Sequence, residues 1–236
     1  MNEEFQIIHI DETDSTNHWL MQWRGGCCVV VADYQTAGKG CGTNSWESER
    51  GMNLTFSMLI HPEDLPASRQ FRITEVTSVA LCETLEEYLP RQVTIKWPND
   101  IYVGDRKLCG MLIENRLQGS VIKDSIIGIG LNVNQRVFMS DAPNPVSLCQ
   151  LLDREVSREP LLQDFLMRFK AVWDCQDVSS CYRRRLYRKG EWKFYCDAQG
   201  PFTGLLEDVR QDGRLILRDT IGQQRIYQFK EVQFII

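Results

Sequence analysis

YQTAGKGCGTNSWESERGMN, running from Tyr34 to Asn53, reads as neither core nor ordinary linker. It sets Gly38, Gly40 and Gly42 at alternate positions with Lys39 between two of them, directly behind the apolar run Cys27 to Tyr34, which reads as a buried strand. Glycines so spaced let backbone N–H groups approach an anion closely, and Lys39 adds positive charge. Neither standard phosphate loop is present. A Walker loop needs G-x-x-x-x-G-K-[ST], and a dinucleotide fingerprint needs G-x-G-x-x-G opening a helix. Taken alone, the same residues also suit a mobile surface turn, because Gly, Ser and Asn are turn formers.

Outward from the loop, Phe5 to Ile10 predicts a first strand, and Asp14 or Ser15 can cap a short helix whose apolar side carries Trp19, Leu20 and Trp23. Cys27 to Tyr34 and Leu54 to Ile60 predict strands on either side of the loop. Gln70 to Leu89 has helical spacing in Val76, Val79, Ala80, Leu81, Leu85 and Leu89, and Pro90 ends it. Val93 to Trp97 predicts a strand stopped by Pro98, with Asn99 and Asp100 at its end. Gly104-Asp105 reads as a hairpin tip between Ile101-Tyr102-Val103 and Lys107 to Asn115. Val121 to Val133 predicts another strand, thinned at Gly128 and Gly130, where the glycines either ease a twist or face a ligand.

Asp141 to Pro145 reads as a loop, while Val146 to Leu152 and Leu161 to Arg188 read as helices. The basic run Arg183, Arg184, Arg185, Arg188 and Lys189 suits a solvated helix end, or contact with an acidic partner or nucleotide phosphate. After Gly190 the chain turns to short β segments, Trp192 to Tyr195, Phe202 to Leu206, Arg214 to Arg218, Gln224 to Phe229 and Val232 to Ile236. Turn signals separate them, which predicts a small barrel. The expected division is 1–189 and 190–236.

A chain of 236 residues, 43% hydrophobic, can bury a full core and carry a small companion domain. Its net charge of −5 does not favour non-specific attraction to nucleic acid. No apolar run approaches the ~20 residues of a membrane helix, and the start MNEEFQ lacks a signal-peptide core. The nine cysteines form no C-x-x-C, and His9, His18 and His61 have no metal-ligand spacing. Free cytosolic thiols, and so a cytoplasmic protein, are the expectation.

Read together, Asp14-Ser15-Thr16-Asn17, the glycine loop with Trp46, Lys96-Trp97-Pro98-Asn99-Asp100, Asp105-Arg106-Lys107-Leu108-Cys109-Gly110 and Gly128-Ile129-Gly130-Leu131-Asn132-Val133-Asn134 resemble the biotin protein ligases. The resemblance covers the catalytic domain, and the β-rich tail resembles the SH3-like C-terminal domain of bacterial members. It implies an α/β fold, an α+β mixed sheet with helices of the class II synthetase-like ligase type, followed by the small barrel. It also implies an ATP-dependent enzyme that forms biotinyl-5'-AMP and transfers biotin to a lysine on the biotin carboxyl carrier domain of a carboxylase.

On this resemblance Lys107 and Lys39 are catalytic, Lys107 holding the carboxylate and α-phosphate and Lys39 holding the adenylate from the loop side. Ser15, Thr16, Asn17, Gln35 and Gly38 form the biotin wall, and Gly40, Cys41, Asn53, Gly110 and Gly130 complete the substrate site. Trp46 is an apolar surface for adenine or for the ordered loop. Asn132 supports phosphate or ribose, or makes a strand-end hydrogen bond. Mg2+ is expected on the triphosphate with Asp100 as its protein contact. No DNA or membrane partner is expected, since the first ligase-like strand begins at Phe5 and leaves no room for a DNA-binding domain. The protein is expected to be a monomer or a homodimer.

Two positions leave the family's pattern. Cys41 stands where a second cation is usual and Thr43 where a glycine is usual. A neutral thiol cannot clamp phosphate as a guanidinium does, so the chain either turns over with weaker hold on its adenylate or binds ligands with impaired transfer. A lipoate or octanoate ligase on the related fold is the other alternative.

Overall fold

The structure is a computed structural model that describes residues 4–40, 42, 44–139 and 144–236. Its main layer is a seven-stranded sheet in the order β1-β2-β3-β7-β6-β5-β4. The strands are β1 (Gln6–Thr13), β2 (Cys28–Gln35), β3 (Leu54–Ile60), β4 (Thr94–Lys96), β5 (Asp100–Val103), β6 (Arg106–Gln118) and β7 (Val121–Leu131). β1 and β2 run parallel, joined through helix α1 (Thr16–Gln22), and every other pair is antiparallel. The mixed-sheet expectation therefore holds.

Strand alternation sends successive side chains to opposite faces, and here the two faces differ in kind. On one face Val29, Val31, Phe56, Met58, Ile127 and Ile129 join the main core with helices α2 (Phe71–Tyr88) and α4 (Arg158–Trp173). Phe56 meets Phe165 edge-on, with ring centroids 5.5 Å apart. The opposite face begins with a small cluster of Leu20, Cys28, Val30, Leu59 and Ile126 under α1, then runs into small residues. Gly110 pairs with Gly130, Leu112 and Ser57 flank Gly128, and Thr55 flanks Gly130. The middle of that face thus lacks the side chains that fill its other side.

The expected helix Leu161 to Arg188 is two helices. α4 ends at Trp173, and α5 (Val178–Arg184) starts after a break at 174–177. The Arg72 guanidinium of α2 donates to the carbonyls of Trp173 (2.7 Å) and Cys175 (3.1 Å), satisfying helix-end acceptors that a continuing helix would have used. The basic run is likewise not a solvated end. Arg185 pairs with Glu86 at 2.6 Å, Lys189 with Asp208 at 3.4 Å, and Arg188 donates to the Ile235 carbonyl at 2.8 Å. A short helix, α3 (Leu148–Leu152), opens on a capping box made by Ser147 and Gln150.

A second, antiparallel sheet of five strands has the order β11-β10-β9-β8-β12, comprising β8 (Trp192–Asp197), β9 (Gly200–Val209), β10 (Leu215–Asp219), β11 (Gln224–Tyr227) and β12 (Val232–Phe234). It packs on the first through Trp97, whose indole N–H donates to the Gly213 carbonyl at 2.8 Å and whose ring meets Phe229. A Cβ at Gly213, where φ is +88°, would lie 2.5 Å from the Phe71 ring, so this turn is held against α2 by the absence of a side chain.

Burial on α2 pushes the Glu75 carboxyl above the ordinary glutamate range, against the opposing pull of the Ser179 hydroxyl and of Arg183, Arg72 and Arg69. Its folded-state pKa lies above the unfolded one, so stability is fully present at low pH and is lost as pH rises toward the folded value. Glu75→Gln keeps an acceptor for Ser179. It is expected to raise Tm over the natural chain at pH 7.5 and not at pH 4, measured by thermal denaturation; an equal difference at both pH values would contradict this account of Glu75.

Candidate active site

The gap on the glycine face opens into a cavity of about 1030 Å³. Pockets for small ligands run from about 300 to 1000 Å³, so this one has room for a nucleotide and a small acid together. Its lining includes Ser15, Thr16, Asn17, Gln35, Lys39, Gly40, Trp46, Asp100, Lys107, Gly110, Gly130 and Asn132. Lys39 and Lys107, sixty-eight positions apart, therefore reach one cavity from different elements.

At one end a polar cluster is built by α1 entering the sheet. The Thr16 amide and hydroxyl both donate to Gln35 Oε1, at 2.8 and 3.0 Å. The Ser57 hydroxyl lies 2.6 Å from both Thr16 Oγ1 and Asn17 Oδ1, and Asn17 Nδ2 donates to Glu114 at 2.7 Å. A Cβ at Gly128 would collide with the Asn17 amide, so that glycine is what admits Asn17 onto the sheet. Ser15 precedes α1 with extended backbone and is buried, but its side chain makes no cap hydrogen bond. Capping does not account for it. The cluster presents hydroxyls and amides, groups that can donate and accept, to a small polar ring system.

The glycine loop folds back on itself over the gap. Trp46 N–H donates to the Gly38 carbonyl and Gly40 N–H to the Asn44 carbonyl, at 2.9 and 2.8 Å. A Cβ at Gly38 would lie 2.7 Å from the Trp46 carbonyl oxygen, so glycine is required there by the close approach of backbone. This fold-back lays the Trp46 indole across the Gly110–Gly130 pair, where a Cβ at Gly130 would collide with it and one at Gly110 would lie 3.1 Å from it. Among the described residues Trp46 Nε1 is buried without a hydrogen-bond partner.

At the far end the Lys107 ammonium pairs with Asp100 at 2.8 Å and lies 6.0 Å from the Trp46 ring centroid. The turn that carries Asp100 is fixed from both sides. Asn99 Nδ2 donates to the Met111 carbonyl at 2.9 Å, and the buried Tyr182 of α5 donates to the Pro98 carbonyl at 2.7 Å. Asp100 thus faces Lys107 in this structure, and no three His, Cys, Asp or Glu side chains gather as a metal site among the described residues. The donor set does not fit a cation held by protein ligands alone.

Some expected site residues stand elsewhere. Asn53 is buried outside the cavity lining, its amide donating to Gln135 Oε1 at 2.6 Å and accepting from Val133 N–H at 3.0 Å; it pegs the loop end to the segment that follows β7. Gly38 also stands behind the lining, with the role in the loop just described. Asn132 does line it, yet its amide donates to the Val146 carbonyl at 3.1 Å, the strand-end bond. Cys41, Thr43 and most of the 141–145 loop lie outside the described residues.

Lys96, Phe229, Lys230 and Phe234 line the cavity without having been singled out as site residues. The last three come from the second sheet, and nothing in their local sequence marks them as facing a site. Lys96 could have been found, since it opens the Lys-Trp-Pro-Asn-Asp motif. Burial lowers its pKa, opposed by Asp100 and helped by Lys107 and Arg188, and its ammonium lies 5.3 Å from the Tyr102 ring and 5.4 Å from that of Phe234.

The Biotin/lipoate A/B protein ligase family matches residues 9–132, just over half of the chain and the segment that supplies most of this cavity. The chain belongs to that family. Among its relatives, the bifunctional ligase/repressor BirA of Bacillus subtilis is 35% identical over 214 residues, covering 84% of this chain and 64% of the relative, so the chain spans less than two thirds of that protein's length. The biotin–[acetyl-CoA-carboxylase] ligase of Paracoccus denitrificans is 27% identical over 230 residues, covering 91% of this chain and 95% of its own. The biotin protein ligase of Aquifex aeolicus, solved in complex with biotin and ATP, superposes with a TM-score of 0.81 at 26% identity, over 97% of this chain and 99% of that one. The superposition extends over both sheets, so the C-terminal one belongs to the shared fold.

Substituting Gly130→Ala in this ligase-family chain is expected to push the Trp46 indole off the sheet toward water. Tryptophan emission should shift to the red, and the shift should vanish in a Trp46→Phe background. Unchanged emission with Trp46 present would contradict the stacking.

Proposed function

We propose that the protein is a biotin–protein ligase that activates biotin with ATP and transfers it to a lysine of a biotin carboxyl carrier domain, with residues 1–189 as catalytic domain and 190–236 as the small domain that closes one wall. The observation that carries the reading is the meeting of Lys39, Lys107 and the Ser15–Thr16–Asn17–Gln35 cluster on one cavity in a chain of this family. The Aquifex aeolicus structure with biotin and ATP, at similar fold and full coverage, supports it.

The chemistry asks for what the cavity has. A carboxylate does not acylate an amine in neutral water, because oxide is a poor leaving group. Attack of the biotin carboxylate on the α-phosphorus forms a mixed anhydride as the bond to pyrophosphate breaks. The acceptor lysine's neutral amine then attacks the acyl carbon, AMP leaves, and the amide proton is lost to solvent or base. Both steps gather negative charge on oxygen, which fixed cations in a dry site stabilise.

In this reading the polar cluster around Thr16 and Asn17 takes the ureido ring, and Leu112, which shares the glycine face, takes the thiophane ring and acyl chain. Lys107, its direction set by Asp100, holds the carboxylate and α-phosphate, while Lys39 and Gly40 hold the adenylate from the loop. Trp46 offers its indole face to the adenine or to the closed loop. Magnesium arrives on the triphosphate, a cation that keeps much of its water and asks for few protein oxygens. A cytoplasmic location accords with the free thiols, and no helix among the described residues is long and apolar enough to cross a membrane.

Two assays test this. Biotin-dependent exchange of pyrophosphate into ATP should occur, and incubation with a carrier domain should add biotin to one lysine by mass spectrometry. Exchange driven by lipoate or octanoate in place of biotin would overturn the substrate, and exchange without transfer to any carrier would leave only the activation half. Lys107→Ala should lower the exchange kcat by about 10²–10³, with folding unchanged by circular dichroism. Retention of full kcat would remove Lys107 from the reaction.

A further inference from the structure

We infer that Lys230, on the turn between β11 and β12 of the second sheet, supplies the nucleotide's phosphate chain with a cation that the glycine loop itself lacks. The inference rests on the ligase reading only for the identity of the ligand as a nucleotide polyphosphate.

Four lysines line the cavity, Lys39, Lys96, Lys107 and Lys230. Lys107 is neutralised by Asp100, and Lys96 is held between the rings of Tyr102 and Phe234. Among the described residues neither Lys39 nor Lys230 has an ion-pair or hydrogen-bond partner for its ammonium, and both line the cavity. From Gly40 to Trp46 the loop contributes no second Lys or Arg, so its own charge ends at Lys39. Lys230 reaches that loop from the turn between β11 and β12. A Cβ at Gly42 would collide with the Lys230 ammonium, which places that charge directly against the loop's backbone.

The turn that presents Lys230 is built to hold it there. Glu231 N–H donates to the Gln228 carbonyl at 3.1 Å, and the Glu231 carboxylate accepts from Gln228 N–H at 2.6 Å. Next to it, Phe229 lines the cavity and packs edge-on against the buried Trp97, with centroids 6.0 Å apart. Lys230 itself has φ of +71°, a left-handed conformation that glycine adopts freely and a lysine only with strain. A strained lysine where glycine would fit without cost, exposed and aimed at the mouth of a site for a polyanion, fits a role for the charge rather than for the turn. Lys39 and Lys230, lining the same cavity as Gly40, put two cations within reach of phosphate oxygens.

The test compares the natural chain with Lys230→Met and Lys230→Arg. An ATP analogue with an α,β-methylene bridge, which cannot release pyrophosphate, is titrated by calorimetry into protein saturated with biotin. Lys230→Met is expected to weaken its Kd about tenfold, as for loss of one charge-assisted contact, while the Kd for biotin stays within twofold. Lys230→Arg should recover most of the loss, and the salt dependence of the nucleotide Kd should flatten in Lys230→Met. Equal nucleotide affinity in the natural chain and Lys230→Met overturns the inference, whatever the enzyme's turnover. A natural chain that binds the nucleotide through Lys230 but shows no biotin-dependent exchange supports the inference and overturns the ligase reading instead.

Discussion

The missing side chains at Gly110, Gly128 and Gly130 are the constraint on which the rest of the structure depends. A sheet buried on both faces would carry large residues at all these positions. Here one face keeps Phe56, Met58, Ile127 and Ile129 for the core, and the other is emptied by the Gly110–Gly130 pair and by Gly128 beside it. Stability and vacancy are thus separated by the alternation of a strand, on the same few residues. The vacancy is then used twice. The Asn17 amide occupies the space over Gly128 and the Trp46 indole the space over Gly130, so the polar end and the loop end of the cavity are both seated on absent side chains.

Around that gap the charges are arranged by elements distant in sequence. The hairpin of β5 and β6 brings Asp100 to Lys107 and sets the ammonium's direction, with Tyr182 and Asn99 holding the turn behind it. The second sheet is part of the same arrangement, since Phe229, Lys230 and Phe234 line the cavity with the glycine loop and Trp97 ties them to the end of β4. Motion of the small sheet would change the shape of the site as well as the outer surface. Arg188 and Lys189, bonded to Ile235 and Asp208, fasten it from the other side.

Much of this was legible in the sequence because periodicity and motif order report local structure. The strands on either side of the glycine loop, the hairpin at Gly104-Asp105 and the five β segments after Gly190 follow from alternation and turn chemistry. The meeting of Lys39 and Lys107 was legible through motif order. What was not legible is set by tertiary partners. The break after Trp173 depends on Arg72, about a hundred residues earlier, and the basic run before Gly190 looked solvated because its partners Glu86, Asp105 and Asp208 are remote in the chain. Asn53 carries a functional-looking amide but spends both ends of it on Gln135 and Val133. Lys230 was invisible for the same reason, since a lysine in a short turn says nothing about which loop it will face.

The most direct measurement is a crystal structure of the protein grown with biotin and ATP. The account predicts a single adenylate on the glycine face, its fused ring against Thr16 and Asn17 and its phosphate between Lys39 and Lys107. Ligand density on another surface, or a phosphate far from both lysines, would contradict it.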